Sequence, residues 1–290
     1  MNSRNLLKAF GLKWNPFAKD LPDEALIVSP AIEHFAWRIE RLVDEGGFAL
    51  ITGEPGTGKS AVMRILYRRL RQVRDGTVAH LDRPQSTVAD FYRELGDAVG
   101  VKVGASNRWG GFKTLRERWR TTLEATLVRP VLLVDEAQEV SSSVLSEIRI
   151  LSAENFDSRS LLTVVLAGDG RLPGQLRSPE LMPLETRIRA RIQLQPQPTA
   201  ELVDVLRILT ERAGNPRLMT DELMQTLAVH SHGNFRVLMN IANELLLEAH
   251  ARNADRLDEK LYIEITQVDH GSVANGQLAS EGTARGRSRR

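Results

Sequence analysis

Eight residues, Gly53-Glu54-Pro55-Gly56-Thr57-Gly58-Lys59-Ser60, constrain this chain more than any other stretch. They follow the apolar strand candidate Phe48-Ala49-Leu50-Ile51 and precede the helix-like run Ala61-Val62-Met63-Arg64-Ile65-Leu66-Tyr67. Glycines at these positions let the backbone curl until successive N–H groups point inward and form a nest for an anion. The helix that starts near Lys59 adds the positive end of its dipole. The spacing G-x-x-x-x-G-K-[ST] therefore predicts a phosphate cradle made by Gly53 through Ser60 and the first helical residue, Ala61. Lys59 would reach the β- and γ-phosphates of ATP, and the Ser60 hydroxyl would take a place on Mg²⁺.

A chain of 290 residues, 42% hydrophobic and 26% charged, is long enough for one large or two modest domains with real cores. There are no cysteines, which excludes disulfides and thiolate metal sites and points to the reducing cytoplasm. No run of about 18 apolar residues occurs, so neither a membrane span nor a membrane partner is expected. The start, Met1-Asn2-Ser3-Arg4-Asn5-Leu6, lacks the apolar core of a signal peptide. The formal charge of +2 is unevenly spread. Arg285, Arg287, Arg289 and Arg290 face only Glu281 at the end of the chain, and Lys102, Arg108, Lys113, Arg116, Arg118 and Arg120 face only Glu117. Polyanion binding would have to rest on such local patches.

Residues 1–29 read as an irregular lead-in, with Trp14-Asn15-Pro16-Phe17 as an aromatic clamp laid against the main domain. Helical spacing covers Pro30 to Glu45, the stretch after the loop to about Val73, Val88 to Val99, Leu115 to Leu127 and Ser142 to Asn155. Short apolar runs at Thr77–Leu81, Val131–Val134, Leu161–Ala167 and Arg191–Leu194 read as strands, the middle two as buried parallel ones. The Gly-rich basic piece from Lys102 to Lys113 reads as an exposed loop. The alternation predicts an α/β domain over 30–197, its parallel sheet covered on both faces. After Gln195-Pro196-Gln197-Pro198 only helical patterns follow, which gives a small all-helical lid over 198–268 and a disordered basic tail over 269–290.

The run Val131–Val134 ends in Asp135-Glu136. At the C-terminal edge of a parallel strand these carboxylates would face the phosphate loop. Asp135 would then hold Mg²⁺, and Glu136 would polarise the water attacking the γ-phosphorus. After the next strand, Asp169 in Gly168-Asp169-Gly170 either orients that water or simply closes a turn. Among Arg187, Arg189 and Arg191, one residue, Arg187 or Arg191, would act as an arginine finger on a neighbour's nucleotide. Arg236, at the start of a long helix, would touch the γ-phosphate and report the nucleotide's state to the helical domain.

The order of these pieces resembles an AAA+ P-loop NTPase. It is more closely similar to the ExeA-like ATPases and the transposition helpers of the TniB, TnsC and MuB kind. The phrases shared are Gly11-Leu12-Lys13-Trp14-Asn15-Pro16-Phe17, the phosphate loop, Leu133-Val134-Asp135-Glu136-Ala137-Gln138, Val165-Leu166-Ala167-Gly168-Asp169-Gly170-Arg171-Leu172, Arg187-Ile188-Arg189-Ala190-Arg191 and Gly233-Asn234-Phe235-Arg236. They cover roughly residues 8 to 266. Two departures separate this sequence from ExeA-like secretion proteins. Asp169 stands where they usually carry Gln, and they continue into a transmembrane helix and a peptidoglycan-binding region where this chain stops at Arg290. The resemblance implies an ATP-dependent homo-oligomer, ring or helical filament, on double-stranded DNA, which selects a transposition target and recruits or activates a transposase, with a target-selector protein as a further partner. The alternatives are an ExeA-like secretion or cell-envelope assembly ATPase, and an ATP-switched scaffold with little turnover. For DNA, Lys102, Arg108, Lys113 and Arg116 are the candidate contacts, to phosphates and so independent of base sequence. A merely solvated loop is the other reading of that stretch.

Overall fold

A computed structural model describes residues 3–72, 77–81, 87–102, 108–156 and 158–266. Residues 26–196 form one compact unit, and the described residues on either side of it form the other. The first helix, α1 (Ser3–Ala9), belongs to the second of these units. The expected tail over 269–290 lies outside the described residues.

The larger unit opens with α2 (Pro30–Glu45). Ser29 Oγ caps it by accepting from Ile32 N–H at 3.4 Å, and proline at the first helical position loses no hydrogen bond. Gly46 stops it with φ 76°, and a Cβ there would sit 2.6 Å from Ser160 Cβ and 2.7 Å from Arg129 Cδ. There follow β1 (Gly47–Gly53), α3 (Lys59–Gln72), β2 (Val78–Leu81), α4 (Val88–Ala98), α5 (Arg108–Thr126) and β3 (Val131–Val134). Then come a 3₁₀ turn at Ala137–Glu139, α6 (Ser142–Ser152), a two-residue hairpin of β4 (Ala153–Glu154) and β5 (Arg159–Ser160), and β6 (Thr163–Gly168). Two short helices, α7 (Leu172–Leu176) and α8 (Met182–Glu185), lead to β7 (Ile188–Leu194).

The main sheet runs β2-β3-β6-β1-β7, all pairs parallel. Because side chains alternate along a strand, each strand feeds both cores. Phe48, Leu50, Leu132, Val134, Val164 and Leu166 enter one core with the residues of α4 to α8. Ala49, Ile51, Leu133, Val165 and Ala167 enter the other with α2 and α3. Every residue of β1 is buried. The expectation of a parallel sheet covered on both faces therefore holds. Among the described residues no helix is long and apolar enough to cross a membrane.

Three boundaries differ from the sequence reading. Helix α5 begins at Arg108, so Arg108 and Lys113 lie on a helix and not on a loop. Its buried stripe of Gly111, Leu115, Trp119 and Leu123, at intervals of four, extends through the glycine pair, so packing overrides glycine's low helix propensity. Helix α6 stops at Ser152, because the chain turns back through Asn155 and Phe156 with φ 51° and 55°. Strand β7 starts three residues earlier than the apolar run, which places Arg189 and Arg191 inside an edge strand.

The second unit gathers α9 (Thr199–Arg212), α10 (Asp221–His230), α11 (Phe235–Ala251) and a helical stretch over 259–266. The side chains of Thr220 and Asn234 cap α10 and α11. The lead-in packs here: Leu6, Phe10, Leu12 and Phe17 share a core with Leu206, Leu227 and Leu246. Lys13 N–H donates to Ala213 O, Asn215 Nδ2 to Phe10 O and Asn15 Nδ2 to Asn243 Oδ1, each at 2.8 Å. This corrects the expectation of a clamp against the main domain, since the apolar face it fits is that of the helices.

Two buried carboxylates absorb much of the basic stretch on α5. Glu147, with 4% of its side chain exposed, accepts from Tyr92 OH at 2.7 Å and from Arg108 Nη2 at 2.5 Å. Glu154 accepts from Arg120 Nη2 at 2.6 Å, while Arg116 donates to the carbonyls of Leu151 and Ala153. Burial pushes the Glu147 carboxyl up, but the hydrogen bonds from Arg108 and Tyr92 outweigh it and hold the group below its ordinary 4.5. A carboxylate with a depressed folded-state pKa contributes stability above the unfolded value and loses it as pH falls through the folded value. Glu147→Ala should therefore lower unfolding stability at pH 7 by about 2–3 kcal/mol, read by urea titration. The gap to the wild type should narrow as pH drops below 4.5; a gap independent of pH contradicts the assignment.

Candidate nucleotide-binding site

The phosphate loop begins where β1 ends. Gly56 and Gly58 take φ 87° and 102°, a region side-chain-bearing residues avoid. A Cβ on Gly53 would lie 2.6 Å from Thr57 Oγ1 and 2.7 Å from the backbone oxygen of Leu194, so only glycine fits. Thr57 Oγ1 donates to Glu54 O at 2.8 Å and tightens the turn. Lys59 opens α3 with only 7% exposure, and its Nζ donates to Gly53 O at 2.8 Å and Glu54 O at 3.2 Å. These partners are neutral carbonyls, so a buried ammonium here suits an anion that would sit in the loop.

The acidic pair follows β3, and β6 lies between β3 and β1, so three strand ends converge on one edge of the sheet. Ser60 Oγ, at the start of α3, donates to Asp135 Oδ2 at 3.4 Å. Hydroxyl and carboxylate held this close are a donor pair suited to Mg²⁺, which takes one or two protein ligands and fills the rest with phosphates and water. No cluster of three or more His, Cys, Asp and Glu that would hold a metal by itself occurs among the described residues. Glu136 has φ 48° and ψ 41° and makes no capping hydrogen bond to the 3₁₀ turn behind it. A side-chain-bearing residue in that conformation costs on the order of 1–3 kcal/mol, which the surroundings must offset. Its carboxylate accepts from Gln138 Nε2 at 2.5 Å.

Gln138, quoted in the sequence as part of a phrase but given no task, spans the site. Its Oε1 accepts from the backbone N–H of Asp169 at 3.1 Å. The carboxylate of Asp169 accepts from Arg171 N–H and from Arg171 Nε, each at 2.9 Å. The Arg171 bonds hold the Asp169 carboxyl below the usual carboxylate range. Arg171 Nη2 also reaches Glu139 Oε1 at 2.5 Å.

The remaining candidates have other surroundings. Arg187 donates to Pro183 O, and Arg191 Nη2 to Glu185 Oε1 at 2.7 Å. Arg191, on β7, pairs in register with Leu50 of β1, and the strand order puts β7 on the far side of β1 from β3. Arg236 is exposed in the first turn of α11, in the helical unit, its N–H held by Asn234 Oδ1 at 3.0 Å. Of the DNA candidates, Lys102 and Lys113 are exposed, whereas Arg108 and Arg116 are engaged with α6 and the turn after it.

Residues 41–176 match the family model described as AAA domain. General secretion pathway protein A of Aeromonas hydrophila is 32% identical over 256 residues, which is 86% of this chain and 45% of that protein. This chain thus spans under half the length of that relative. Cdc6p of Pyrobaculum aerophilum superposes with a TM-score of 0.65 at 14% identity over 83% of this chain and 67% of its own. The Aeropyrum pernix ORC1 protein, solved in complex with DNA, gives 0.62 at 20% identity over 84% of this chain and 66% of its own. Sheet order, phosphate loop and acidic pair, together with the family match and these neighbours, identify the fold as that of a nucleotide-binding AAA+ P-loop NTPase.

Proposed function

We propose that this chain is a Mg²⁺-dependent ATPase module of the secretion or cell-envelope assembly kind, acting in the cytoplasm as a homo-oligomer. The observation that carries the hydrolytic part is the approach of Ser60 Oγ to Asp135 Oδ2, with Glu136 as the next residue. Loop N–H groups and Lys59 bind the phosphates, and Ser60 and Asp135 would hold a Mg²⁺ ion, which would supply positive charge to the phosphoryl oxygens. Glu136 takes the proton of a water whose oxygen bonds to the γ-phosphorus, while the bond from that phosphorus to the bridging oxygen breaks and ADP departs. Asp169 lies one strand over, where it can orient the water. Arg187 or Arg191 supplies positive charge to a neighbouring copy's nucleotide, and Arg236 relays nucleotide state to the helices.

The secretion reading is supported by the relative at 32% identity, whose name assigns it to that pathway. A transposition regulator on duplex DNA, with a transposase as partner, is the second reading. It draws on the shared motif phrases and on exposed Lys102 and Lys113. Against it stands the pairing of Arg108 with Glu147, of Arg120 with Glu154 and of Arg116 with the Leu151 carbonyl.

Three tests follow from this site. Lys59→Ala should weaken ATP binding about ten- to a hundred-fold, the loss of roughly 1.5–3 kcal/mol expected for a charged hydrogen-bond donor. Glu136→Gln should bind ATP normally yet lower kcat on the order of 10²–10⁴-fold, both read with a fluorescent nucleotide and a phosphate-release assay. Normal turnover by Glu136→Gln contradicts its role. Second, Arg187→Ala or Arg191→Ala should spare binding and lower hydrolysis on the order of 10³-fold in the assembled protein; normal hydrolysis by both rejects the finger. Third, the ATPase rate should be indifferent to duplex DNA across a salt series. Stimulation that fades with salt, with rings or filaments on DNA in negative stain, would overturn the secretion reading in favour of the transposition one.

A further inference from the structure

We propose that Gln138 is a positioning residue for Glu136, and that it couples the seat of that carboxylate to the end of strand β6; this rests on the hydrolytic reading above. A side-chain amide has one end that only donates and one that only accepts. Both ends are used here, Nε2 toward Glu136 Oε2 at 2.5 Å and Oε1 from Asp169 N–H at 3.1 Å. Reversing the amide would set its oxygen against the carboxylate and its NH₂ against a backbone N–H, so the two contacts fix each other. Glu136 needs such a partner. Its left-handed backbone gives it no capping bond of its own, and its side chain is exposed. Held through Oε2, the carboxylate keeps Oε1 to accept the water's proton.

The strand end leaves room for this amide. A Cβ on Gly168 would lie 2.7 Å from Gln138 Oε1 and 2.6 Å from Leu172 Cδ2. A second link runs parallel to the first, from Glu139 through Arg171 to Asp169. The turn after β3 and the turn after β6 are thus joined twice, and a displacement of the Asp169 turn carries Glu136 with it. Glu136 is the group that touches the water; Gln138 acts through it.

The test uses the full chain with Gln138→Ala, which removes both bonds, Gln138→Glu, which keeps an acceptor for Asp169 N–H but sets a second carboxylate against Glu136, and Gly168→Ala, which retains Gln138 but fills the space of its amide. Each should lower kcat on the order of ten- to a hundred-fold, the scale of a misplaced reacting group, with KM for ATP and nucleotide affinity unchanged; Tm should stay unchanged in the two Gln138 variants and fall in Gly168→Ala, whose Cβ also meets Leu172. In a Glu136→Gln background, Gln138→Ala should cause no further loss. Wild-type kcat in Gln138→Ala, with Glu136→Gln inactive, overturns the role of Gln138 and leaves the hydrolytic reading standing. A raised KM with lowered Tm, or losses that multiply in the double variant, also overturns it, since those mark a structural part. Wild-type turnover by Glu136→Gln overturns the hydrolytic reading and this inference together.

Discussion

A loop that presents consecutive backbone N–H groups to an anion must turn too tightly for side chains, and that requirement governs the architecture here. Gly53 can carry no Cβ because Thr57 and the backbone of β7 stand against it. The loop is thereby fixed between the interior strand β1 and helix α3, and β1 must be buried on both faces to hold it still. Lys59 enters that wall with its Nζ hydrogen-bonded to the carbonyls of Gly53 and Glu54, which keeps the ammonium at the mouth of the anion nest.

Strand order turns this loop into a site. With β6 between β1 and β3, groups far apart in sequence meet at one sheet edge: Ser60 on α3, Asp135 and Glu136 after β3, Asp169 after β6. Ligands of open parallel sheets bind outside the carboxyl ends of the strands, and the convergence here follows that rule. The hydrogen bonds of Gln138 and Arg171 make the two acidic turns one mechanical piece. The strained backbone of Glu136 persists because that piece surrounds it.

Much of this was legible from spacing alone. The phosphate loop, the acidic pair and the buried strands are local patterns, and local patterns survive folding. What escaped was decided across distance. Strand β7 hides its start because its exposed arginines break the apolar run while pairing with β1. Helix α5 runs through Gly110 and Gly111 because Gly111 continues the buried stripe of Leu115, Trp119 and Leu123 at intervals of four. The basic stretch on α5 reads as an open polyanion surface until Glu147 and Glu154 are seen beneath it. Gln138 is invisible to spacing, since its partner Asp169 lies 31 residues away on another strand.

The central claim is that this edge hydrolyses ATP. The most direct measurement is phosphate release from ATP by the purified chain over many turnovers, with Mg²⁺ and with the cation chelated. The account predicts sustained release that requires Mg²⁺. Tight ATP binding without phosphate release, in the presence of Mg²⁺, would contradict it and leave a nucleotide-switched scaffold in its place.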